Sequence, residues 1–193
     1  MGFAISWVAV HGKSSQQVLD HFGLVRSGST EEFPEAPLTC ATLPSGWFLL
    51  FANAFASPLV SDKSLKDISA GCTAVSCQVE EHVMFSSATC YKNEQLTWHT
   101  EHDAQKGIYD LVTKGSTPSQ LQAIHAASKQ QQDEAGGDKA DTDYIHDVPV
   151  QLAQSITSFR HDQDVVGAGA KPFEVLESTG KLKPPSKPWW KVW

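Results

Sequence analysis

The chain has 193 residues, 40% of them hydrophobic, with nine Phe and six Trp, which excludes disorder throughout and suits one sizeable core plus an extension. Its 22 acidic and 15 basic residues give a net charge of −7, a balance that excludes the basic face of a general nucleic-acid binder. No apolar run approaches the roughly 20 residues of a membrane-spanning helix.

Met1–Val10 lacks a basic start and a long apolar stretch ahead of a small-residue cleavage site, so a secretory signal is not expected. Gly2 and Ser6 formally fit a myristoylation pattern, but Phe3, Ile5, Trp7 and Val10 read more simply as a first strand over Phe3–Val10. Ser14 and Gln17 form a capping box ahead of a short helix carrying Val18, Leu19 and Phe22, which Gly23 can end. Pro34 and Pro37 make 24–37 irregular. Leu38–Leu43 and Trp47–Phe51 then flank Pro44-Ser45-Gly46, a hairpin signal. Asp62–Ala70 is a short helix closed by Gly71. From Thr73 to Tyr91 β-branched and aromatic residues are frequent, which predicts two strands with a bend near Glu80–His82. A further strand, Leu96–Asp103, follows the Lys92–Gln95 turn.

Thr117, Pro118 and Gln120 mark the start of a helix that runs to about Asp133 with a sparse apolar stripe of Leu121 and Ile124. Six acids and one Lys fall between Asp133 and Asp147, an exposed loop. Asp147 caps a better helix on which Leu152, Ile156 and Phe159 recur along one side. These elements predict an α+β fold: an antiparallel or mixed sheet in β-α-β-β-α-β-β-β order, with helices packed on one face, C-terminal helices and an extended tail. The body covers 1–180 and the tail 181–193. That tail, Lys181–Trp193, holds four Lys and no acid, so 11 bases face all 22 acids in the body.

The richest polar cluster is His99-Thr100-Glu101-His102-Asp103. Strand alternation puts His99, Glu101 and Asp103 on one side and Trp98, Thr100 and His102 on the other. With Asn93-Glu94 as a two-residue loop, Tyr91 pairs with Leu96, Thr89 with Trp98, Phe85 with His102, Ala88 with His99 and Ser86 with Glu101. Glu101 beside His99 suits acid–base work, and His99, Glu101 and Asp103 suit a metal if His161-Asp162 or His146-Asp147 adds a ligand. Ordinary polar residues on an open sheet face are the simpler reading. Cys72, Cys77 and His82 have paper ligand spacing, yet residues five apart on a strand face opposite ways, so the four cysteines read as reduced, packed thiols. Gly167–Lys171 echoes a phosphate loop but lacks its spacing, with Pro172 where Ser or Thr is needed. No nucleophile elbow, His-Glu-x-x-His or dinucleotide fingerprint occurs, and no cofactor is implied.

Trp189, Trp190 and Trp193 stand among the tail's lysines. Exposed indoles at that density point to a contact: with the acidic body or a neighbouring subunit, with a separate protein partner, or with a membrane surface. Glu80–Tyr91, Trp98–Asp103 and Ser158–Asp162 resemble segments of bacterial cytoplasmic proteins that carry no assigned activity. The Lys-Pro-Trp-Trp-Lys-Val-Trp segment is similar to segments of small bacterial proteins that include toxin-immunity proteins. The resemblance implies no catalytic residues and favours a cytoplasmic, non-catalytic protein-binding module, an immunity-type inhibitor of a basic partner. A hydrolase using His99, Glu101, His161 and Asp162, or a peripheral membrane or assembly factor acting through the tail, are the alternatives.

Overall fold

The computed structural model describes residues 2–165 and 172–180. In chain order these form β1 (Ala4–His11), α1 (Ser15–Phe22), β2 (Leu24–Glu31), β3 (Leu38–Thr42), β4 (Phe48–Ala52), a 3-10 turn at Pro58–Val60 and α2 (Asp62–Ile68). There follow β5 (Thr73–Glu80), β6 (Phe85–Lys92), β7 (Gln95–Asp103), β8 (Val112–Gly115), α3 (Gln120–Glu134), α4 (Asp147–Thr157) and β9 (Phe173–Ser178). The nine strands make one antiparallel sheet in the order β2-β9-β3-β4-β1-β5-β6-β7-β8, so the α+β class expected from the sequence is the class observed. No described helix is long and apolar enough to cross a membrane.

The helices do not share one face. On β1, Ile5, Trp7 and Ala9 point to one side and Val8 and Val10 to the other, and all five are buried; β4 is buried at every position. Central strands that are apolar on both sides need cover on both sides. Leu121 of α3 with Val148 and Leu152 of α4 close one face, while Val18 and Leu19 of α1 with Leu65 and Ile68 of α2 close the other. The Ser14–Gln17 capping box and the left-handed Gly23 at the end of α1 are both present. α3 starts later than Thr117 and without a side-chain cap. α4 begins at Asp147, which is its first residue rather than its cap, and carries no side-chain cap; just ahead of it Asp143 Oδ1 accepts from the amides of Ile145 and His146, both at 3.0 Å.

Three strands lie where no strand was expected: β2 inside the segment read as irregular, and β8 and β9. β2 is exposed at most positions, with a register break between Arg26 and Thr30, so neither alternation nor apolarity announces it. The β6–β7 hairpin turns on Asn93-Glu94, both at positive φ. Tyr91 pairs with Leu96 as expected, but Thr97 is an extra residue in the ladder, so Cys90 meets Trp98, Thr89 meets His99, Ser87 meets Glu101 and Ser86 meets His102. The cause lies across β8: the carbonyl of the bulged Thr97 accepts from Ser116 N at 2.8 Å, and Gly115 approaches so closely that a Cβ there would sit 2.3 Å from that oxygen.

Candidate functional site: an acid-rimmed aromatic cavity

The alternation along β7 holds. Trp98, Thr100 and His102 are buried on the side of α4, and His99, Glu101 and Asp103 are half-buried on the other. His99 Nδ1 lies 2.8 Å from Thr89 Oγ1 and its Nε2 3.6 Å from Glu101 Oε2. Lys106 Nζ spans Glu101 at 3.2 Å and Asp103 at 3.3 Å, so both carboxylates already have a cation. Burial outweighs Glu101 and lowers the His99 pKa, which keeps the ring neutral at pH 7. Among the described residues no group of three or more His, Cys, Asp or Glu side chains is placed to hold a metal. The four cysteines are buried thiols, with burial pushing Cys90 up to about 11 and Cys40 up to about 12.

His161 and Asp162 stand on the opposite face of the sheet from His99, beside the first residues of β1. α4 ends at Ser158 in the left-handed conformation, donating its N–H to Gln154 O at 2.8 Å, and the turn throws Phe159 back into the core. Phe159 meets Trp7 edge-on at 5.3 Å, Phe51 at 6.3 Å and Phe173 at 6.4 Å. Next to this cluster opens a cavity of about 850 Å3. Ile5, Phe51, Phe159 and Phe173 line its inner part, and Phe3 and Phe33, 41% and 53% exposed, also line it. Five carboxylates surround it, those of Glu31, Glu32, Glu35, Asp162 and Asp164. Asp162 is held by Arg160 at 2.6 Å, whereas Glu31, which accepts from Ala36 N at 2.9 Å, and Glu32, Glu35 and Asp164 make no ion pair with a described residue.

His161 is the basic side chain in the lining. It packs edge-on against Phe3 at 4.8 Å, and its Nδ1 is enclosed without a hydrogen-bond partner. Burial, aided by Arg160 and opposed by Asp162, Glu81 and Asp147, lowers its pKa. Burial likewise lowers the pKa of His146, whose Nε2 donates to Phe85 O at 3.2 Å. A histidine held neutral by folding protonates more readily in the unfolded chain, so its contribution is complete above the ordinary value and is lost as pH falls. His99, His146 and His161 all act in this sense. His102 acts oppositely, because its pKa is raised and its contribution is lost as pH rises. With three against one, the melting temperature should fall between about pH 7.5 and about pH 5. His161→Leu should show a smaller fall; an equal fall in thermal melts would refute the assignment.

Sequence reasoning did not find this cavity. Glu31, Glu32 and Glu35 sit in the segment read as irregular, while His161 and Asp162 enter the sequence reading only as partners of His99; the one local signal is a Phe set among glutamates at Glu31-Glu32-Phe33-Pro34-Glu35. It also left unused the buried pair of His102 and Asp143, 2.9 Å apart. The other His102 nitrogen faces the Asp110 carbonyl at 2.6 Å, so neither nitrogen is available to a substrate and the pair is structural. Trp189, Trp190, Trp193 and the Gly167–Lys171 segment lie outside the described residues. No protein-family model, curated protein or solved structure gives a significant match to the chain.

Proposed function

We propose that the chain is a protein-binding module that seats a basic, aromatic-bearing segment of a partner in this cavity, as an immunity-type inhibitor would. The observation that carries the reading is an apolar inner lining surrounded by five carboxylates, four of them without an ion pair among the described residues. A Lys or Arg over phenyl rings gains cation–π attraction, while the surrounding acids steer it in from solution. Compartment and partner type follow the same reading: a cytoplasmic protein covering a basic protein. A hydrolase built on His99 and Glu101 has less to support it, since Lys106 engages Glu101 and His161 and Asp162 lie across the sheet.

Affinity purification from the source cells should recover a stoichiometric basic protein. The combined Glu31→Gln, Glu32→Gln and Glu35→Gln variant should bind it with an on-rate about tenfold lower at low salt and a flatter salt dependence. Stopped-flow binding reads both quantities. Recovery of no partner, or an unchanged on-rate in the variant, overturns the proposal.

A further inference from the structure

We infer that Cys72 and Lys13 form an oxidation site, at which hydrogen peroxide joins the two side chains through a reversible sulfur–nitrogen bond. Cys72 packs with the core on the α1 and α2 side of the sheet, so the site is independent of what the cavity binds.

Two donors converge there on one carbonyl. Ile68 is the last residue of α2, and its carbonyl oxygen is one of those a helix end leaves without a partner inside the helix. It accepts from Lys13 Nζ at 2.6 Å and from Cys72 Sγ at 3.1 Å. The shared acceptor holds an amine and a thiol side by side, although they are distant in the sequence. Gly12, just before Lys13, has φ +103°, and a Cβ there would sit 3.3 Å from Cys72 Cβ, so this loop closes directly over the cysteine.

The other three thiols have different surroundings. Cys77 and Cys90 face the carbonyls of Gln78 and Tyr91 at 4.0 and 3.9 Å, and Cys40 faces the Glu174 carboxylate at 3.5 Å. The Arg26 guanidinium beyond Glu174 stays protonated and is no nucleophile. Lys92 acts on Cys90 through its charge alone, whereas Lys13 opposes the effect of burial on Cys72 through both its charge and a hydrogen bond.

Cys72 is 7% exposed, which admits a small oxidant. Its thiolate, having given its proton to solvent, attacks one peroxide oxygen; the O–O bond breaks, hydroxide leaves and takes a proton back, and a sulfenic acid remains. The neutral Lys13 amine then attacks that sulfur. The S–N bond forms, the S–O bond breaks, and water departs with one amine proton. One thiol, one amine and one peroxide thus give a sulfenamide and two waters, and a thiol reductant returns both side chains as it becomes a disulfide.

Mass spectrometry of the full chain, reduced and then treated with hydrogen peroxide at about pH 9, tests this. The intact mass should fall by two hydrogen atoms, peptide mapping should join the peptides holding Lys13 and Cys72, and dithiothreitol should restore both. Lys13→Arg keeps a cation on the Ile68 carbonyl but offers no free amine. It should give no crosslink and at least about fivefold more dimedone-trapped sulfenic acid at Cys72. The same treatment in urea, where the shared acceptor is lost, should give no crosslink. A crosslink that persists in Lys13→Arg or in urea, or one that joins another lysine or cysteine instead, overturns the inference. So does Cys72 carried to sulfinic acid, or left unoxidised, with Lys13 free.

Discussion

Asp143→Ala should lower the free energy of unfolding by about 3–5 kcal/mol, the cost of leaving one member of a buried ion pair alone. His102 is wholly buried on β7, and both its ring nitrogens face acceptors: Asp143 Oδ2 at 2.9 Å and the Asp110 carbonyl at 2.6 Å. Only the doubly protonated ring satisfies both. Although burial opposes the charged form, the bonds to Asp143 and Asp110 raise the His102 pKa, and His102 in turn helps to hold Asp143 below the ordinary carboxylate range. The same carboxylate accepts from the amides of Ile145 and His146 just ahead of α4, so one side chain ties the entry of the helix to the sheet. Asp143→Asn, which can keep these two amide bonds and loses the charge, should cost less. Urea denaturation at neutral pH measures both, and a loss below about 1 kcal/mol for Asp143→Ala would show that the pair is not the fastening.

Phe159→Ala should also cost about 3–5 kcal/mol, the range for emptying a large aromatic site in a core. Phe159 is 2% exposed and makes edge-on contacts with Trp7, Phe51 and Phe173. Water entering from the adjoining cavity offsets part of the void, which places the value toward the lower end. Phe159→Leu keeps most of the volume and should cost about 1.5 kcal/mol. Because the ring also lines the cavity, Phe159→Ala should weaken partner capture even where the protein remains folded. Thermal melts together with binding of the captured partner separate the two effects; near-native stability would refute the packing account.

What was legible in the sequence was local. The capping box at Ser14, the loop at Asn93-Glu94 and the side assigned to Trp98 and His99 each depend on a few neighbouring residues, and each is present in the fold. The pairing partners across β6 and β7 were not legible, because the extra residue at Thr97 answers to Gly115, far along the chain. The expectation of helices on one face failed because consecutive apolar residues in β4 require burial on both sides, which periodicity alone does not distinguish from a one-sided strand. The cavity was hidden for a similar reason. Phe3, the Glu31–Glu35 run, Phe51, Phe159 and Phe173 come from separate stretches that only the sheet order brings together.

β9 lies between β2 and β3, and β2 has no other neighbour in the sheet. During vectorial synthesis the β2 ribbon must therefore wait for a strand made more than a hundred residues later, a loop closure with a large entropic cost and a slow rate. Until Phe173 arrives, the nascent chain also lacks one of the phenyl rings lining the cavity. The cavity lining is thus completed late in biogenesis, only once translation has reached the distal part of the message.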